Sequence, residues 1–323
     1  MPVDQPTISL GLLGCADIAT RRLLPAFAAA PGVRIAAVAS RSRAKAERVA
    51  DLFGAEPVEG YSRLLDRADV DAVYVPLPPG LHSEWVGRAL RAGKHVLCEK
   101  PLTTSSQSTE DLLALARARG LVLMENFMFP HHGQHARVRE LVAGGAIGTL
   151  HAFSAAFAIP RRPDDDIRYQ APLGGGALID VGGYPIAAAE FFLGGGLRVV
   201  GAHLRHDDEL GVDLAGSALL RTPDGISATL TFGLDHFYGS RYELWGSAGR
   251  ISVDHVFTTP ATHRPVVRID RAEREELVLP ADDQVANSVA AFLQAVRDGV
   301  EHGVAATRTR AALMADVRRL AAS

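Results

Sequence analysis

Ile8-Ser9-Leu10-Gly11-Leu12-Leu13-Gly14-Cys15-Ala16-Asp17-Ile18-Ala19 opens with six residues of strand type and turns on a glycine. A helical pattern then runs to about Ala29. In a strand–tight turn–helix, the loop's backbone N–H groups and the helix N-terminus can receive a pyrophosphate. Gly14, Cys15, Ala16, Asp17 and Ile18 are therefore read as a cofactor-binding loop. The pattern is Gly-x-Ala-x-x-Ala, with alanine at the second and third glycine positions of the dinucleotide fingerprint. The loop alone is a weak signal, and its surroundings supply the weight.

Outward from it, Val33–Ala39 is a second apolar strand followed by Ser40-Arg41-Ser42-Arg43. An NAD site places an acid at this strand's end to bind the ribose hydroxyls. Here Ser40 and Arg41 stand instead, and a hydroxyl with a guanidinium suits a 2′-phosphate, which arginine can grip with two parallel hydrogen bonds. The expected cofactor is NADP(H); the alternative for this stretch is a solvated helix start with Ser42 as N-cap. Asp71–Leu77 forms a third apolar run ending at Pro78, with His82 in the helix that follows, and His95–Cys98 and Leu121–Met124 form a fourth and fifth. Helical stretches at Ser83–Ala92 and Ser105–Arg119 lie between them. This alternation predicts a doubly wound parallel sheet, with ligands at the carboxyl ends of its strands. Gly14, Ser40, Pro78 and Lys100 all sit at those ends.

The fourth run leads into Glu99-Lys100-Pro101. Of the 34 Lys and Arg residues, only Lys45, Lys94 and Lys100 are lysine. An arginine keeps its charge in any surroundings, whereas a lysine ammonium shifts its pKa and can move protons. Lys100 is thus either a solvated residue beside a turn or a functional group next to the dinucleotide, and its strand-end position favours the second. Glu99 joins the cofactor-binding candidates, and Pro101 would fix the turn.

After Asn126-Phe127 the pattern changes. His131–Ala143 reads as a helix, and Thr149–Ile159 begins a series of strand-like runs near 198–205, 210–221, 226–234, 241–245, 250–255, 266–269 and 275–279. Successive strands without intervening helices predict an antiparallel sheet. Two helices close the chain, near 282–298 and 305–322. The expected architecture is an α/β Rossmann domain over 1–126 and an α+β domain with a large open-faced, mainly antiparallel sheet over 127–323. Edge strands and a broad sheet face point to a homo-oligomer, dimer or tetramer.

Gly174-Gly175-Gly176-Ala177-Leu178-Ile179-Asp180-Val181-Gly182-Gly183-Tyr184 is the informative segment of this half. Asp180 and Tyr184 are four apart and share a face of a helix. Gly182 and Gly183 each cost a helix about 1 kcal/mol, which points to close packing or a ligand. Tyr184 reads as a catalytic group or as a half-buried aromatic. Arg168, Tyr169 and Gln170 are candidates for holding a polar substrate, after a solvated loop at Asp164-Asp165-Asp166. His131, His132 and His135 have metal-compatible spacing but no completing carboxylate, so no metal is expected.

A net charge of −3 gives no basic field, so nucleic acid is not an expected partner. No targeting segment is read in Met1–Ser9, and no apolar run is read as a membrane span. Cys15 and Cys98 fall in strand-end contexts and show no metal spacing; they read as buried small hydrophobes in a reducing cytoplasm.

The chain resembles the Gfo/Idh/MocA oxidoreductases, which include glucose–fructose oxidoreductase and inositol dehydrogenase. The resemblance rests on Gly14–Ala19 after the first strand, on Glu99-Lys100-Pro101, and on Gly174–Tyr184. It implies a Rossmann domain followed by an open-faced sheet that binds substrate and mediates oligomers. Many members have histidine where this chain has Tyr184; the tyrosine resembles the branch of dihydrodiol dehydrogenases and sugar 3-ketoreductases. Gly14-Cys15-Ala16-Asp17-Ile18-Ala19, Glu125-Asn126-Phe127 with His131-His132, and Asp166-Ile167-Arg168-Tyr169-Gln170 most resemble NDP-hexose 3-ketoreductases of deoxysugar biosynthesis. The resemblance implies NADPH-dependent reduction of a nucleotide-linked ketosugar, a dTDP-3,4-diketo-2,6-dideoxyhexose reduced at C3. Lys100 and Tyr184 would be catalytic, and Asp180 would orient Lys100 or a substrate hydroxyl. A free aldose or dihydrodiol dehydrogenase, and a non-catalytic regulator that senses NADP(H) and sugar, are the alternatives.

Overall fold

The computed structural model describes residues 7–322, so most of the N-terminal stretch read for a targeting segment lies outside the described residues. The chain forms two compact units. The first contains the residues up to Thr103, then Gln107–Phe127 and Val285–Val304; the second contains Thr104–Ser106, Met128–Gln284 and the chain from Ala305.

In the first unit, β1 (Ile8–Leu13), β2 (Val33–Ser40), β3 (Glu56–Glu59), β4 (Ala72–Val75), β5 (His95–Glu99) and β6 (Leu123–Asn126) form one sheet in the order β3-β2-β1-β4-β5-β6. All five pairings are parallel. This is the doubly wound dinucleotide-binding order, whose switch point lies between β1 and β4. β1 is buried at every position because helices cover both faces, which explains its unbroken apolar run. β3 has no signature in the sequence. Its residues, Glu-Pro-Val-Glu, lack an apolar period, and Pro57 is tolerated because the strand lies at the sheet edge. The helix Gln284–Asp298 contributes Phe292, whose ring meets Phe27 edge-on at 6.4 Å.

The second unit holds β7 (Leu150–Ala158), β8 (Arg198–Asp207), β9 (Val212–Arg221), β10 (Ser227–Gly233), β11 (Gly239–Gly246), β12 (Arg250–Asp254), β13 (Val266–Asp270) and β14 (Arg274–Val278). They form a sheet in the order β14-β13-β12-β11-β7-β10-β9-β8, antiparallel except for the parallel pair β7 and β10. Alternation sets the two faces. On β10, Ala228, Leu230 and Phe232 are buried while Thr229 and Thr231 are exposed. Ala171–Leu193 is long and apolar enough to cross a membrane by composition, but 72% of its most apolar window is buried in the fold. Its apolarity is that of a core segment: Ala177, Leu178, Ile179, Ile186, Ala188 and Ala189 are all at most 3% exposed.

Candidate active site

In the first unit the candidate residues gather at the carboxyl ends of β1, β2, β4 and β5. Gly14 has φ +106°, a conformation that calls for glycine, and a Cβ there would also press on the Leu77 side chain, 2.7 Å from its Cδ2. The helix beyond it makes its first internal bonds from Ala19 and Thr20 N–H to Ala16 O. First-turn amides before that point lie outside the helix's own ladder and present a partial positive charge. This cradle fits a pyrophosphate. The Asp17 carboxylate is exposed and paired with Arg21, which leaves the main chain of Asp17 and Ile18 for the ligand.

The end of β2 carries cations. Ser40 is buried, and its Oγ accepts from Ser42 N–H at 3.2 Å. Burial raises the pKa of the half-buried Cys15 thiol, opposed by a hydrogen bond with Ser40 and by the charges of Lys45 and Arg48. The Tyr61 phenol is likewise raised by burial and opposed by Arg41, which hydrogen-bonds it. Arg41, Lys45 and Arg48 therefore bring positive charge to the surroundings of the Gly14–Cys15 turn, which suits a 2′-phosphate. Lys45 and Arg48 were missed in the sequence because they lie inside the next helix rather than at its start.

The Glu99-Lys100-Pro101 turn is fixed from three sides. Glu99 Oε1 accepts from Tyr74 Oη and Asn126 Nδ2, both at 2.7 Å, and Asn126 Oδ1 accepts from Ser288 Oγ at 2.8 Å. Glu125 Oε1 accepts from Leu102 N–H at 2.9 Å. The Lys100–Pro101 peptide is cis. His82 differs from its expected cofactor-binding role. It is fully buried, with Nδ1 2.9 Å from Pro101 O and Nε2 2.6 Å from Leu77 O. Burial lowers its pKa despite those carbonyls and the nearby Glu99 and Glu125. The ring ties the end of β4 to the lysine turn instead of facing outward. Pro78 precedes the helix Pro79–Arg91 at the same strand end. Of the other lysines, Lys94 is structural, its Nζ donating to Arg67 O and Val70 O at 2.6 and 2.7 Å.

In the second unit, Asp180 and Tyr184 lie on a helical segment that changes winding between them. Leu178–Gly182 is a π-helix, with Gly183 N–H bonded to Leu178 O, and Gly183–Leu193 is α-helical. Single π turns inside α-helices occur often at functional sites. The glycines before the segment make room: a Cβ on Gly175 would stand 2.6 Å from Arg168 O, and one on Gly176 2.4 Å from Asp213 Oδ1. Asp213 Oδ2 accepts from Leu178 N–H at 2.6 Å, capping the segment from a neighbouring strand. Desolvation raises the pKa of this carboxyl above its ordinary value, against the two backbone hydrogen bonds that lower it. Asp213 was not singled out in the sequence; 35 positions separate it from Leu178.

Arg168 Nε donates to Asp180 Oδ2 at 2.6 Å, and Nη1 to Asp166 Oδ1 at 3.0 Å. Burial works against its charge, but the carboxylates of Asp180 and Asp166 outweigh it and hold the guanidinium pKa above the usual arginine value. Asp180 is thus oriented by Arg168. Tyr169, expected to touch substrate, is 3% exposed, and its hydroxyl accepts from Arg162 N–H at 3.0 Å and donates to Leu234 O at 3.3 Å, a structural role. Gln170 is exposed and donates to Asp165 O. Tyr184 is 6% exposed, with its ring 4.9 Å from that of Phe157, 5.5 Å from Phe257 and 6.4 Å from Phe129. That aromatic wall orients the phenol. His132 caps its own helix by accepting from Gln134 N–H, and His135 lies between Tyr242 Oη and Val256 O. Among the described residues, no three His, Cys, Asp or Glu side chains could hold a metal ion.

Residues 8–127 match the profile of the Gfo/Idh/MocA oxidoreductase family, NAD-binding Rossmann fold, and residues 135–252 match the C-terminal domain of the same family. The chain is 56% identical, over 93% of its length and 91% of the relative's, to dTDP-3,4-didehydro-2,6-dideoxy-α-D-glucose 3-reductase of Actinomadura kijaniata. It is 38% identical, over 78% of its length and 77% of the relative's, to D-xylose 1-dehydrogenase (NADP(+)) 2 of Haloferax volcanii. The crystal structure of KijD10, a 3-ketoreductase from Actinomadura kijaniata in complex with NADP and TDP-benzene, superposes with a TM-score of 0.95 at 53% identity, covering 97% of this chain and 98% of that one. Two consecutive family domains, together with the 56% identical relative, place this chain in the Gfo/Idh/MocA oxidoreductase family.

Proposed function

We propose that the protein is an NADPH-dependent sugar ketoreductase that reduces C3 of a dTDP-3,4-diketo-2,6-dideoxyhexose. The single observation that carries this reading is 56% identity, over nearly the full length, to a reductase of that name. The cation cluster at the end of β2 supports the choice of NADP(H).

NADPH, when bound, supplies the hydride to the ketone carbon. The protein supplies the proton. Tyr184 donates its phenolic proton to the ketone oxygen. Lys100 places a positive charge that favours the resulting phenolate and hydrogen-bonds the same oxygen. Positioned proton transfer of this kind contributes about 10²–10⁴-fold. Asp180, gripped by Arg168, holds a substrate hydroxyl or the lysine, and Gln170 lies on the same loop. Main-chain groups of Gly14–Ile18 would hold the pyrophosphate, Ser40 and Arg41 the 2′-phosphate, and Pro78 with the Glu99 turn would line the nicotinamide end. The protein works in the cytoplasm as a homo-oligomer, dimer or tetramer, that uses the broad sheet of the second unit.

Comparing NADPH oxidation with a dTDP-linked 3-ketosugar and with free aldoses or their ketones tests the reading. Saturation only by the nucleotide-linked ketosugar is expected. Turnover confined to free sugars would replace this reading with a xylose-dehydrogenase-like activity, which the 38% identical relative represents.

A further inference from the structure

We propose that the loop Leu234–Gly239 of the second unit, with Arg162 beside it, is the seat of the substrate's nucleoside diphosphate, Phe237 forming a stacking platform for the base. This rests on the reading of the substrate as nucleotide-linked.

Phe237 is 96% exposed, yet both its neighbours are anchored. On one side, His236 packs so closely that a Cβ on Gly233 would stand 2.4 Å from its Nδ1. His236 N–H donates to Ile159 O at 3.2 Å, and its Nδ1 lies 3.0 Å from Asp235 Oδ1. Asp235 Oδ2 in turn accepts from Arg205 Nη2 at 2.5 Å. On the other side, the Tyr238 hydroxyl lies 3.3 Å from Thr258 Oγ1, and its ring stacks with His255. The phenyl ring is therefore held outward by a built turn.

The turn's place in the fold matters as much. β7 and β10 run parallel, and Ala158 and Gly233 pair at their carboxyl ends, so the 159–170 segment and the Phe237 loop leave the sheet together. The Tyr169 hydroxyl bridges the two, between Arg162 N–H and Leu234 O. Phe157, which pairs with Phe232 in the same register, carries the ring that meets Tyr184 at 4.9 Å. The proposed proton donor and the exposed aromatic thus belong to the same sheet end. Arg161 is paired with Asp164 and lies over the Tyr169 ring, and Arg205 is paired with Asp235. Arg162 is exposed at the start of the same loop. Nucleobases stack on exposed aromatic rings, and arginine grips phosphate.

Titrating the NADPH-loaded protein with dTDP tests the proposal. Phe237→Ala is expected to weaken dTDP binding about tenfold, while Phe237→Trp retains it. Arg162→Ala should weaken dTDP and flatten its salt dependence while leaving thymidine binding as in the wild type. Equal dTDP affinity in wild type and Phe237→Ala would overturn the subsite and leave the ketoreductase reading standing. A wild type that reduces free sugars and shows no affinity for dTDP would overturn both. A drop in assembly mass on Phe237→Ala, with dTDP binding intact, would assign the ring to a contact between copies and overturn the proposal.

Discussion

Asp213 offers the sharpest test of how the Asp180–Tyr184 segment is held. Its carboxylate is 6% exposed and accepts from Leu178 N–H at 2.6 Å, where the segment begins. Replacing it with alanine strands a buried N–H, which costs about 2 kcal/mol, or roughly a 30-fold shift toward the opened segment. Asparagine keeps an acceptor and loses less. The pH dependence gives a second, independent sign. Desolvation places the folded pKa above the unfolded value of 3.8. The native state therefore binds this proton more tightly than the unfolded chain does. The associated stability is fully present below the unfolded pKa and is lost as pH rises through the folded one. Asp213→Asn cannot titrate, so its stability deficit relative to wild type should shrink as pH rises from below 3.8 toward neutrality. Urea midpoints across that range, with hydrogen exchange of the 177–183 amides at neutral pH, provide the measurement. A deficit that grows with pH would mean that the carboxylate is net stabilised, and would refute the desolvation argument. Unchanged amide exchange in Asp213→Ala would refute the capping role.

Two further predictions concern the cofactor unit. Gly14→Ala adds a Cβ to a residue at φ +106° facing Leu77, a strain of about 1–3 kcal/mol before any clash, and should lower thermal stability and abolish tight NADPH binding; an alanine variant with wild-type NADPH affinity would show that the loop does not receive the pyrophosphate. Arg41→Ala removes a charge-assisted contact of about 1.5–3 kcal/mol, so fluorescence titration should show NADPH weakened about ten- to hundredfold and NADH nearly unchanged, whereas equal loss for both would remove Arg41 from the 2′-phosphate site.

What the sequence reveals here follows from the range of each interaction. The β1–turn–helix and the eight strands of the second sheet are local periodicities, and they appear where the pattern places them. The parallel pairing of β7 with β10 is invisible to such a reading, because alternation fixes which face a side chain takes and says nothing about which strand lies alongside. Asp213 and Leu178 illustrate the same limit, being joined by a hydrogen bond across the fold. His82 misleads for a different reason: a histidine in the first turn after a strand end looks like a ligand contact, and only its two carbonyl partners show that it faces inward. Tyr169 misleads likewise, since an aromatic flanked by Arg168 and Gln170 reads as surface until its hydroxyl is seen bridging two loops. The return of the chain to the first unit at Val285–Val304 has no local signature, as an amphipathic helix does not name the sheet it covers.

The central claim is that Tyr184 delivers the proton for ketone reduction with help from Lys100. The direct measurement is the NADPH oxidation rate with saturating dTDP-linked 3-ketosugar, for wild type, Tyr184→Phe and Lys100→Ala, alongside each variant's NADPH affinity. The account predicts that kcat falls about 10²–10⁴-fold in Tyr184→Phe with NADPH affinity unchanged, and falls comparably in Lys100→Ala. Wild-type kcat in Tyr184→Phe would contradict it.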